Sequence, residues 1–408
     1  MRWGEALAAA HNIPLMIQGL IRGRGREFHS SSSRWRLAYE WIVDGKVVAP
    51  SSSLSSDGVS LVANSTTVPS TTTKKEVIVF LHGLLGNTKN LHTPAKRLTR
   101  SLGSDYAVLL LDVRGHGHSS LSSFDRPHSF RNCVMDIFQT LHPLGLVGRN
   151  SPMTICGHSL GGRIALEYSH TLSLASMAAS SSSSTSANTM EKKEEKDTSA
   201  ADNNINHDDD DIITLGRKFQ IPKQTWILDS VPGIADPSVH GVLRAISSIP
   251  LPVPSKKWLV DTLISKPYNL ELHLSRWIMT NLHDKNDGRG LRWVFDLDIA
   301  NELIMNFDNQ DFVNMISNIT SIPDPYSSTS SSSVHLVMAG KNENWTEEIV
   351  SKLKSIHTYR REEESSSLSY PTQSLFQMHK LEKAGHWVHV DDLEGLLRLM
   401  INEIQRQR

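Results

Sequence analysis

The sequence predicts an α/β fold with a mostly parallel central sheet and helices on both of its faces. Short, near-continuous apolar runs recur along the chain, as is typical of strands buried on both faces. These runs lie at 76–83, 107–115, 153–156, 225–233 and 334–340. Segments with helical apolar spacing, such as 95–102 and 133–141, separate them. Strands that alternate with helices form right-handed crossovers and hence a parallel sheet.

The two ends of the core extend this pattern. LAYEWIVDG at 37–45 predicts an edge strand followed by a turn. QMHKLE at 377–382 predicts a short strand, and LEGLLRLMINEI at 393–404 predicts the helix after it. We therefore expect one domain over residues 37–408.

A helical lid is predicted between two of the strands. About a hundred residues separate Asp229 from the strand at 334, which is too many for one crossover helix. Helical apolar spacing recurs there at 256–264, 271–282 and 299–307. We interpret residues 231–325 as a lid inserted after the sixth strand, with an apolar inner face that favours an acyl or aromatic ester. The candidates for that face are Trp258, Trp277, Trp293 and Phe295.

The composition excludes several classes of protein. The chain has 408 residues and a formal net charge of −1, so no bulk field attracts it to nucleic acid. It has no apolar run of about 18 residues, and no transmembrane helix is expected. Its two cysteines, Cys133 and Cys156, give no disulfide framework, and Cys156 is expected to fill the core. These features favour a small-molecule partner; protein partners are not predicted.

Four stretches of biased composition lie outside the predicted core. Residues 50–74, 176–211 and 361–373 are poor in large apolar side chains and are predicted to be disordered inserts. Residues 1–36 are rich in Arg and Ser and poor in acidic residues, as is typical of a mitochondrial or plastid transit peptide. A disordered basic arm and a short nucleic-acid segment are the alternatives. We expect the mitochondrial matrix as location, with plastid and cytoplasm left open.

A serine nucleophile is predicted in GHSLGG at 157–162. The hexapeptide follows the apolar run at 153–156 and precedes helical spacing at 164–168. The pattern G-x-S-x-G in this strand–turn–helix context is typical of a nucleophile elbow. Ser159 is therefore the candidate nucleophile, and an ordinary turn with a serine between glycines is the alternative.

Two backbone donors and a general base complete the expected machinery. A tetrahedral oxyanion requires two preorganised N–H groups, which we assign to Leu84 in HGLLGN and to Leu160 after the serine. His82 is expected to brace the first of these loops. His386 lies in LEKAGHWVHVDD, in a glycine-containing turn, where an exposed imidazole can act as the base.

The segment LDVRGHGHSS at 111–120 contains an H-x-H pair, His116 and His118. A dinuclear metal site would need further ligands close by, in the pattern H-x-H-x-D-H, whereas Ser119 and Ser120 follow the pair here. We favour a packed turn that Asp112 and Arg114 brace.

Five motifs together resemble the α/β-hydrolase family that includes α/β-hydrolase domain-containing protein 11 and the bacterial YbfF-type esterases. They are HGLLGN, LDVRGHGHS, GHSLGG, DSVP and AGHWVH. The resemblance spans about 37–46, 76–170, 224–322 and 334–406. It implies a serine hydrolase that acts on esters, is mitochondrial in eukaryotes and uses no metal or cofactor.

The acidic member of the expected Ser-His-acid triad has three candidates. Many α/β-hydrolases place the acid three residues past the glycine of VHLVMAG, which is Glu343 here. In the YbfF-type esterases, which this sequence resembles, the acid lies one strand earlier and a neutral residue takes the usual position. The earlier position corresponds to Asp229 here. Asp298, in DLDIAN, stands at a predicted helix start, where N-capping explains it equally well. We favour Asp229.

The sequence thus predicts a carboxylic-ester or thioester hydrolase with Ser159, His386 and Asp229 as its triad. A catalytically silent binding protein on the same scaffold is the alternative from another class, since a fold alone does not fix a function. A perhydrolase reaction is also compatible, because it uses the same serine triad. The substrate and its acyl length are not predicted.

Overall fold

The computed structural model describes residues 36–48, 75–185, 207–233, 235–284, 288, 290–321, 332–364 and 375–407. The strands are β1 Tyr39–Val43, β2 Lys46–Val48, β3 Glu76–Leu81, β4 Tyr106–Leu111, β5 Thr154–His158, β6 Gln224–Leu228, β7 Leu282–His283, β8 Arg292–Trp293, β9 Ser333–Ala339 and β10 Phe376–Leu381. The first six helices are α1 His92–Leu102, α2 Phe130–Leu141, α3 Leu160–Thr185, α4 His207–Gly216, α5 Pro237–Ser247 and α6 Lys256–Ile264. The others are α7 Leu272–Met279, α8 Leu297–Met305, α9 Phe312–Ser321, α10 Glu347–Glu364, α11 Val388–Asp391 and α12 Leu393–Arg406.

Eight of the strands in the described residues form one sheet in the order β10-β9-β6-β5-β3-β4-β1-β2. The neighbours from β10 to β4 pair in parallel, whereas β1 is antiparallel to both β4 and β2. Strands β7 and β8 form a separate antiparallel pair. The predicted mostly parallel sheet is confirmed.

The sequence predicts an edge strand at 37–45, but β1 does not lie at the edge of the sheet. It pairs with β4 on one side and with β2 on the other. The chain reverses at Asp44 and Gly45, both at positive φ, and returns as β2. That edge strand is only three residues long, too short for a periodic pattern to reveal.

The central strands are apolar throughout because both faces of the sheet are covered. Val77, Val79 and Leu81 of β3 belong to a core with residues of α2 and α3. Ile78 and Phe80 of the same strand belong to the opposite core, with residues of α1 and α12. Residues on alternate sides of the pleat thus meet helices on both sides.

The two cysteines are buried, free and divided between these cores. Cys133 lies in the first core and Cys156 in the second. Burial raises the pKa of both thiols. Both therefore act as small apolar fillers at neutral pH, which agrees with the expectation for Cys156.

Residues 235–305, which we call the helical insertion, contain α5 to α8 and form a second core together with Leu85 of the loop after β3. Leu243, Ile246, Leu259, Ile278 and Ala300 are buried in it. The four predicted aromatic residues contribute to this core: Phe295 is buried, and the three tryptophans pack against it half-buried. They therefore stabilise the insertion itself.

Helix α9 lay within the predicted lid but belongs to the main core. Phe312, Ile316 and Ile319 pack in one cluster with Leu166 of α3 and Leu336 of β9. The predicted lid range of 231–325 was therefore too long at its C-terminal end. Amphipathic spacing identifies a helix but does not indicate which surface its apolar face meets.

The predicted insert at 176–211 is helical at both described ends. Helix α3 continues to Thr185, and α4 begins at His207 and buries Ile212 against the sheet. Once a helix is anchored on a core, each added residue gains a hydrogen bond, so polar sequence can prolong it. Residues 1–35, 49–74, 186–206 and 365–374 lie outside the described residues. The targeting segment and the remaining parts of the inserts therefore stay predictions.

Within the described ranges, every helix is too short or too polar to span a bilayer.

Candidate active site

Ser159 lies at the sharp turn between β5 and α3, with φ at 52°. A Cβ atom on Gly157 would lie 1.9 Å from the carbonyl oxygen of Gly161. A Cβ on Gly161 would lie 2.5 Å from the carbonyl oxygens of Leu81 and His82. Only glycine fits at both positions, which explains the G-x-S-x-G spacing.

The strained turn is held by backbone hydrogen bonds. The N–H of Ser159 donates to the carbonyl of Leu228, at the end of β6, at 2.8 Å. The carbonyl of Ser159 accepts from the N–H of Gly162 at 2.9 Å. A non-glycine residue at positive φ costs about 1–3 kcal/mol, and such strain persists only where the surroundings impose it.

Asp229 directly follows β6 and is buried, with φ at 45°. Its Oδ1 accepts from the N–H of Ala339 at 2.9 Å and from Nε1 of Trp345 at 2.6 Å. Its Oδ2 accepts from Nδ2 of Asn342 at 2.8 Å and from Nδ1 of His386 at 2.8 Å. Four donors thus take the place of water around this carboxylate.

His386 lies on the loop between β10 and α11, and its side chain is 48% exposed. Because Nδ1 donates to Asp229, Nε2 is left to accept a proton from an alcohol or water. The loop is tied down by its own backbone: the carbonyl of His386 accepts from Nε2 of His158 at 2.7 Å. The N–H of Gly385 donates to Oδ2 of Asp391 at 2.9 Å.

Two further imidazoles pack around this loop. The His158 ring centroid lies 4.7 Å from that of His386 and 4.6 Å from that of His389. Burial lowers the pKa of His158 well below its usual value and lowers the pKa of His389 to about 4. Both are therefore neutral at pH 7 and place no positive charge beside His386.

The predicted donors Leu84 and Leu160 belong to two different segments, the loop after β3 and the start of α3. Leu160 is the first residue of α3, where an N–H has no acceptor within the helix. Leu84 lies in a tight turn in which the N–H of Gly86 donates to the carbonyl of Gly83 at 3.0 Å. A Cβ on Gly83 would lie 3.4 Å from the Cβ of Ser159, so this loop passes directly beside the serine.

His82 braces that loop, as predicted. Its Nδ1 donates to the carbonyl of Gly83 at 2.8 Å, and its Nε2 accepts from the N–H of Val113 at 3.1 Å. Burial lowers its pKa to about 4. The neutral imidazole thus joins the ends of β3 and β4.

The H-x-H segment forms the packed turn that the sequence analysis favoured. Asp112 accepts from the backbone N–H groups of Thr88 and His118, each at 2.7 Å. Arg114 forms a buried bidentate pair with Asp136, at 2.7 and 2.9 Å. His116 is buried whereas His118 is exposed, so the two imidazoles lie in different environments.

The other two candidate acids lie elsewhere. Glu343 is exposed on the loop after β9. Asp298 is exposed in the first turn of α8, and the expectation that it caps this helix was wrong. The cap is Asp296, whose Oδ1 accepts from the N–H of Asp298 at 2.9 Å. Neither candidate is among the described residues that line the cavity containing Ser159.

Sequence reasoning missed Asn342 and Trp345, the two side chains that hold the Asp229 carboxylate. They lie on either side of Glu343 in GKNENW, a segment whose sequence indicates only a candidate acid. An asparagine and a tryptophan carry no catalytic motif. These two side chains could have been recognised as hydrogen-bond donors at the end of the strand next to β6. That recognition depends on the order of strands in the sheet, which the sequence does not contain.

Ser159, Asp229 and His386 line one cavity of about 730 Å³, a volume typical of small-molecule sites. Its walls come from the β6–α5 loop, from residues 307–313 and from the start of α10. Their apolar residues include Val231, Val239, Phe307, Phe312, Val313, Ile349 and Leu353.

A family profile described as serine aminopeptidase, S33, matches residues 72–189, which include the elbow. The solved structure of a marine microorganism esterase superposes on 90% of this chain and covers 99% of its own, with a TM-score of 0.51 and 17% identity. The chain has the α/β-hydrolase fold. The sheet order and the elbow after β5 agree with this assignment.

Two curated relatives match a short part of this chain. A probable alcohol acetyltransferase of Saccharomyces cerevisiae is 40% identical over 91 residues, which cover 22% of this chain and 24% of the relative. The sn-1-specific diacylglycerol lipase ABHD11 of Mus musculus is 38% identical over 93 residues, or 22% of this chain and 26% of the relative. The chain thus spans about a quarter of the length of these relatives.

The elbow geometry predicts opposite effects for two glycine substitutions. Gly157→Ala should lower the free energy of unfolding by about 3 kcal/mol, because its Cβ collides with backbone that cannot move aside. Gly241→Ala is the matched control: it lies inside α5 with nothing within 4 Å of its Cβ, and should stabilise by about 0.5–1 kcal/mol. Urea unfolding followed by circular dichroism measures both. Equal effects of the two variants would contradict the close approach.

Neutral His389 predicts a loss of stability in acid. Since its pKa is lowered from 6.5 to about 4, the unfolded chain binds the proton first, and stability falls as pH drops from 6.5 towards 4. His389→Leu should remove about 2 kcal/mol of the loss between pH 7 and pH 5. His118→Gln, on an exposed residue, is the control. An unchanged pH dependence in His389→Leu, measured by urea unfolding, would contradict this assignment.

Proposed function

We propose that this α/β-hydrolase cleaves carboxylic esters or thioesters through a triad of Ser159, His386 and Asp229. The observation that carries the proposal is the 2.8 Å hydrogen bond between His386 Nδ1 and the buried carboxylate of Asp229. It lies in the same cavity as a serine held at positive φ in a glycine-bracketed elbow. The three side chains correspond to nucleophile, base and orienting acid in a serine hydrolase.

The proposed reaction has two steps. In the first, Nε2 of His386 takes the Ser159 proton while the hydroxyl oxygen attacks the ester carbonyl, and the protonated imidazole then gives the proton to the leaving alcohol or thiol. Asp229 stabilises that imidazolium. The N–H groups of Leu84 and Leu160 would hold the oxyanion. In the second step a water, activated by His386, releases the acyl group as a carboxylic acid.

The proposed substrate carries an acyl or other apolar group. Apolar side chains contribute several of the cavity walls, and a cavity of about 730 Å³ accommodates a chain of moderate length. The names of two relatives, a diacylglycerol lipase and a putative esterase/lipase, support an ester of this kind. In this proposal the helical insertion acts as the lid, and residues 1–36 direct the protein to the mitochondrion.

A second candidate reaction is transfer of the acyl group to an alcohol. Two relatives named for it, one at 40% identity over 91 residues, favour this candidate. The first step is unchanged; in the second, an alcohol replaces water and an ester is released. Product analysis in water with added ethanol separates the two, because hydrolysis gives the acid and transfer gives the ethyl ester.

The proposed function is tested with nitrophenyl esters of increasing acyl length. Wild-type protein should hydrolyse at least one of them, and Ser159→Ala should lower kcat by a factor of about 10³ or more because the acyl-enzyme cannot form. Ser355→Ala, on an exposed serine of α10, is the control and should retain wild-type kcat. Hydrolysis that survives in Ser159→Ala would exclude this serine as nucleophile. No hydrolysis by folded wild-type protein would favour the silent scaffold.

A further inference from the structure

The cavity around Ser159 carries an imbalance of charge. Outside the triad, the described residues that line it include four carboxylates, and they include two cationic side chains. The carboxylates belong to Asp236, Asp308, Asp311 and Glu348, and the cations to Arg163 and Lys352. The four carboxylates come from three separate segments of the chain, so no single sequence motif reveals them.

The guanidinium of Arg163 is buried, and the negative charge of the nearby Asp308 offsets part of its positive charge. Its side chain is 1% exposed. Its guanidinium donates to the carbonyl oxygens of Phe307, Val231 and Gly233, at 3.0, 2.5 and 2.8 Å. Burial lowers its pKa to about 9 and the nearby Asp308 carboxylate opposes that shift, so it stays protonated at pH 7. Three of its hydrogen bonds go to carbonyl oxygens, and its Nε is buried without a hydrogen-bond partner among the described residues. An anionic substrate would therefore gain little from it.

The carboxylates are free to act on a substrate to different degrees. Asp236 and Asp311 cap α5 and α9, where the helix dipole partly offsets their charge. A hydrogen bond from Ser238, with smaller contributions from Asn344 and His386, lowers the pKa of Asp236 and keeps it ionised. Asp308 and Glu348 are exposed at the cavity. Lys352 lies one helical turn after Glu348 and offsets part of its charge.

We infer that this cavity selects against anionic substrates, so the enzyme acts on neutral or cationic esters and simple thioesters and not on acyl groups carried by coenzyme A. A cleft lined by one sign of charge concentrates its field and changes the local concentration of charged ligands. The same field would speed the departure of the carboxylate product. This inference rests on the proposed function and specifies its substrate class.

Three butyrate esters of nearly equal shape test the inference. Butyrylcholine, 3,3-dimethylbutyl butyrate and 2-sulfoethyl butyrate end in a cationic, a neutral and an anionic group of similar size. At low ionic strength kcat/KM should fall about tenfold or more from the neutral to the anionic ester, and should be highest for the cationic one. Added salt should reduce these differences, since exposed charges are screened.

Two thioesters of butyrate give a second comparison, in which the bond that is cleaved is the same. Butyryl-N-acetylcysteamine and butyryl-coenzyme A share the thioester, but coenzyme A adds the rest of the pantetheine arm, an adenosine and the phosphates. The dependence of kcat/KM on salt separates the effect of the phosphate charge from the effect of size. We expect kcat/KM for the coenzyme A thioester to be lower by a factor of about 10 or more, and to rise with salt. A coenzyme A thioester that is equal or better at low salt would overturn the inference.

The double variant Asp308→Asn and Glu348→Gln identifies the source of the effect. It should raise the kcat/KM ratio of the anionic to the neutral ester by about threefold to tenfold. Asp44→Asn, an exposed turn residue at positive φ where asparagine is tolerated, is the control and should leave that ratio unchanged. Equal effects of the double variant and Asp44→Asn would overturn the inference.

The outcomes also separate this inference from the proposed function. If the neutral ester is hydrolysed but kcat/KM is independent of substrate charge, only the inference fails. If folded protein hydrolyses none of the esters and thioesters, the proposed function fails and the inference with it.

Discussion

The buried carboxylate of Asp229 is the interaction on which the rest of the site depends. A charge without water is costly unless hydrogen bonds replace its hydration. Here donors from the end of β9, from the loop after it and from His386 supply four hydrogen bonds, at 2.6 to 2.9 Å. Hydrogen bonds to an ionised acceptor are about twice as strong as those between neutral groups. One side chain therefore joins β6, β9 and the histidine loop.

The position of this carboxylate explains the features around it. Because it follows β6, the loop after β9 is free to supply donors, and Asn342 and Trp345 serve in that way. The histidine must then reach across to β6. The hydrogen bond from His158, the residue before the serine, holds the His386 backbone for that purpose. The proposed nucleophile and base are thus connected through the backbone of the elbow as well as through the cavity.

Much of the fold could be predicted because periodicity is a local property. The buried strands and the helices at 256–264 and 393–404 follow directly from the spacing of apolar residues. Ser159 and His386 could be proposed as nucleophile and base because their glycine-containing turns leave a local pattern. What could not be predicted depends on how elements meet: α9 has the same spacing as a lid helix, yet its apolar face packs against α3 and β9. The short β2 and the helical extension of α3 carry no periodic signal.

The choice of acid for the proposed triad stayed open for the same reason. Each of the three candidates, Asp229, Glu343 and Asp298, follows or begins a helix or strand. The sequence does not indicate which strands are neighbours in the sheet. Leu228 of β6 pairs with Val337 of β9, so Asp229 emerges beside Met338 and close to the loop after β9. The sequence also does not predict that several carboxylates line one cavity, because Asp236, Asp308 and Glu348 come from distant segments.

Comparison of three variants on one nitrophenyl ester tests the central claim most directly. Asp229→Asn should lower kcat by a factor of about 10³–10⁴ with little change in KM, because the imidazolium loses its counter-charge and the imidazole its orientation. Glu343→Gln and Asp298→Asn, both on exposed residues, should retain kcat within about twofold. Thermal unfolding checks that all three fold. Near-wild-type kcat in folded Asp229→Asn, with a large loss in Glu343→Gln, would contradict the account.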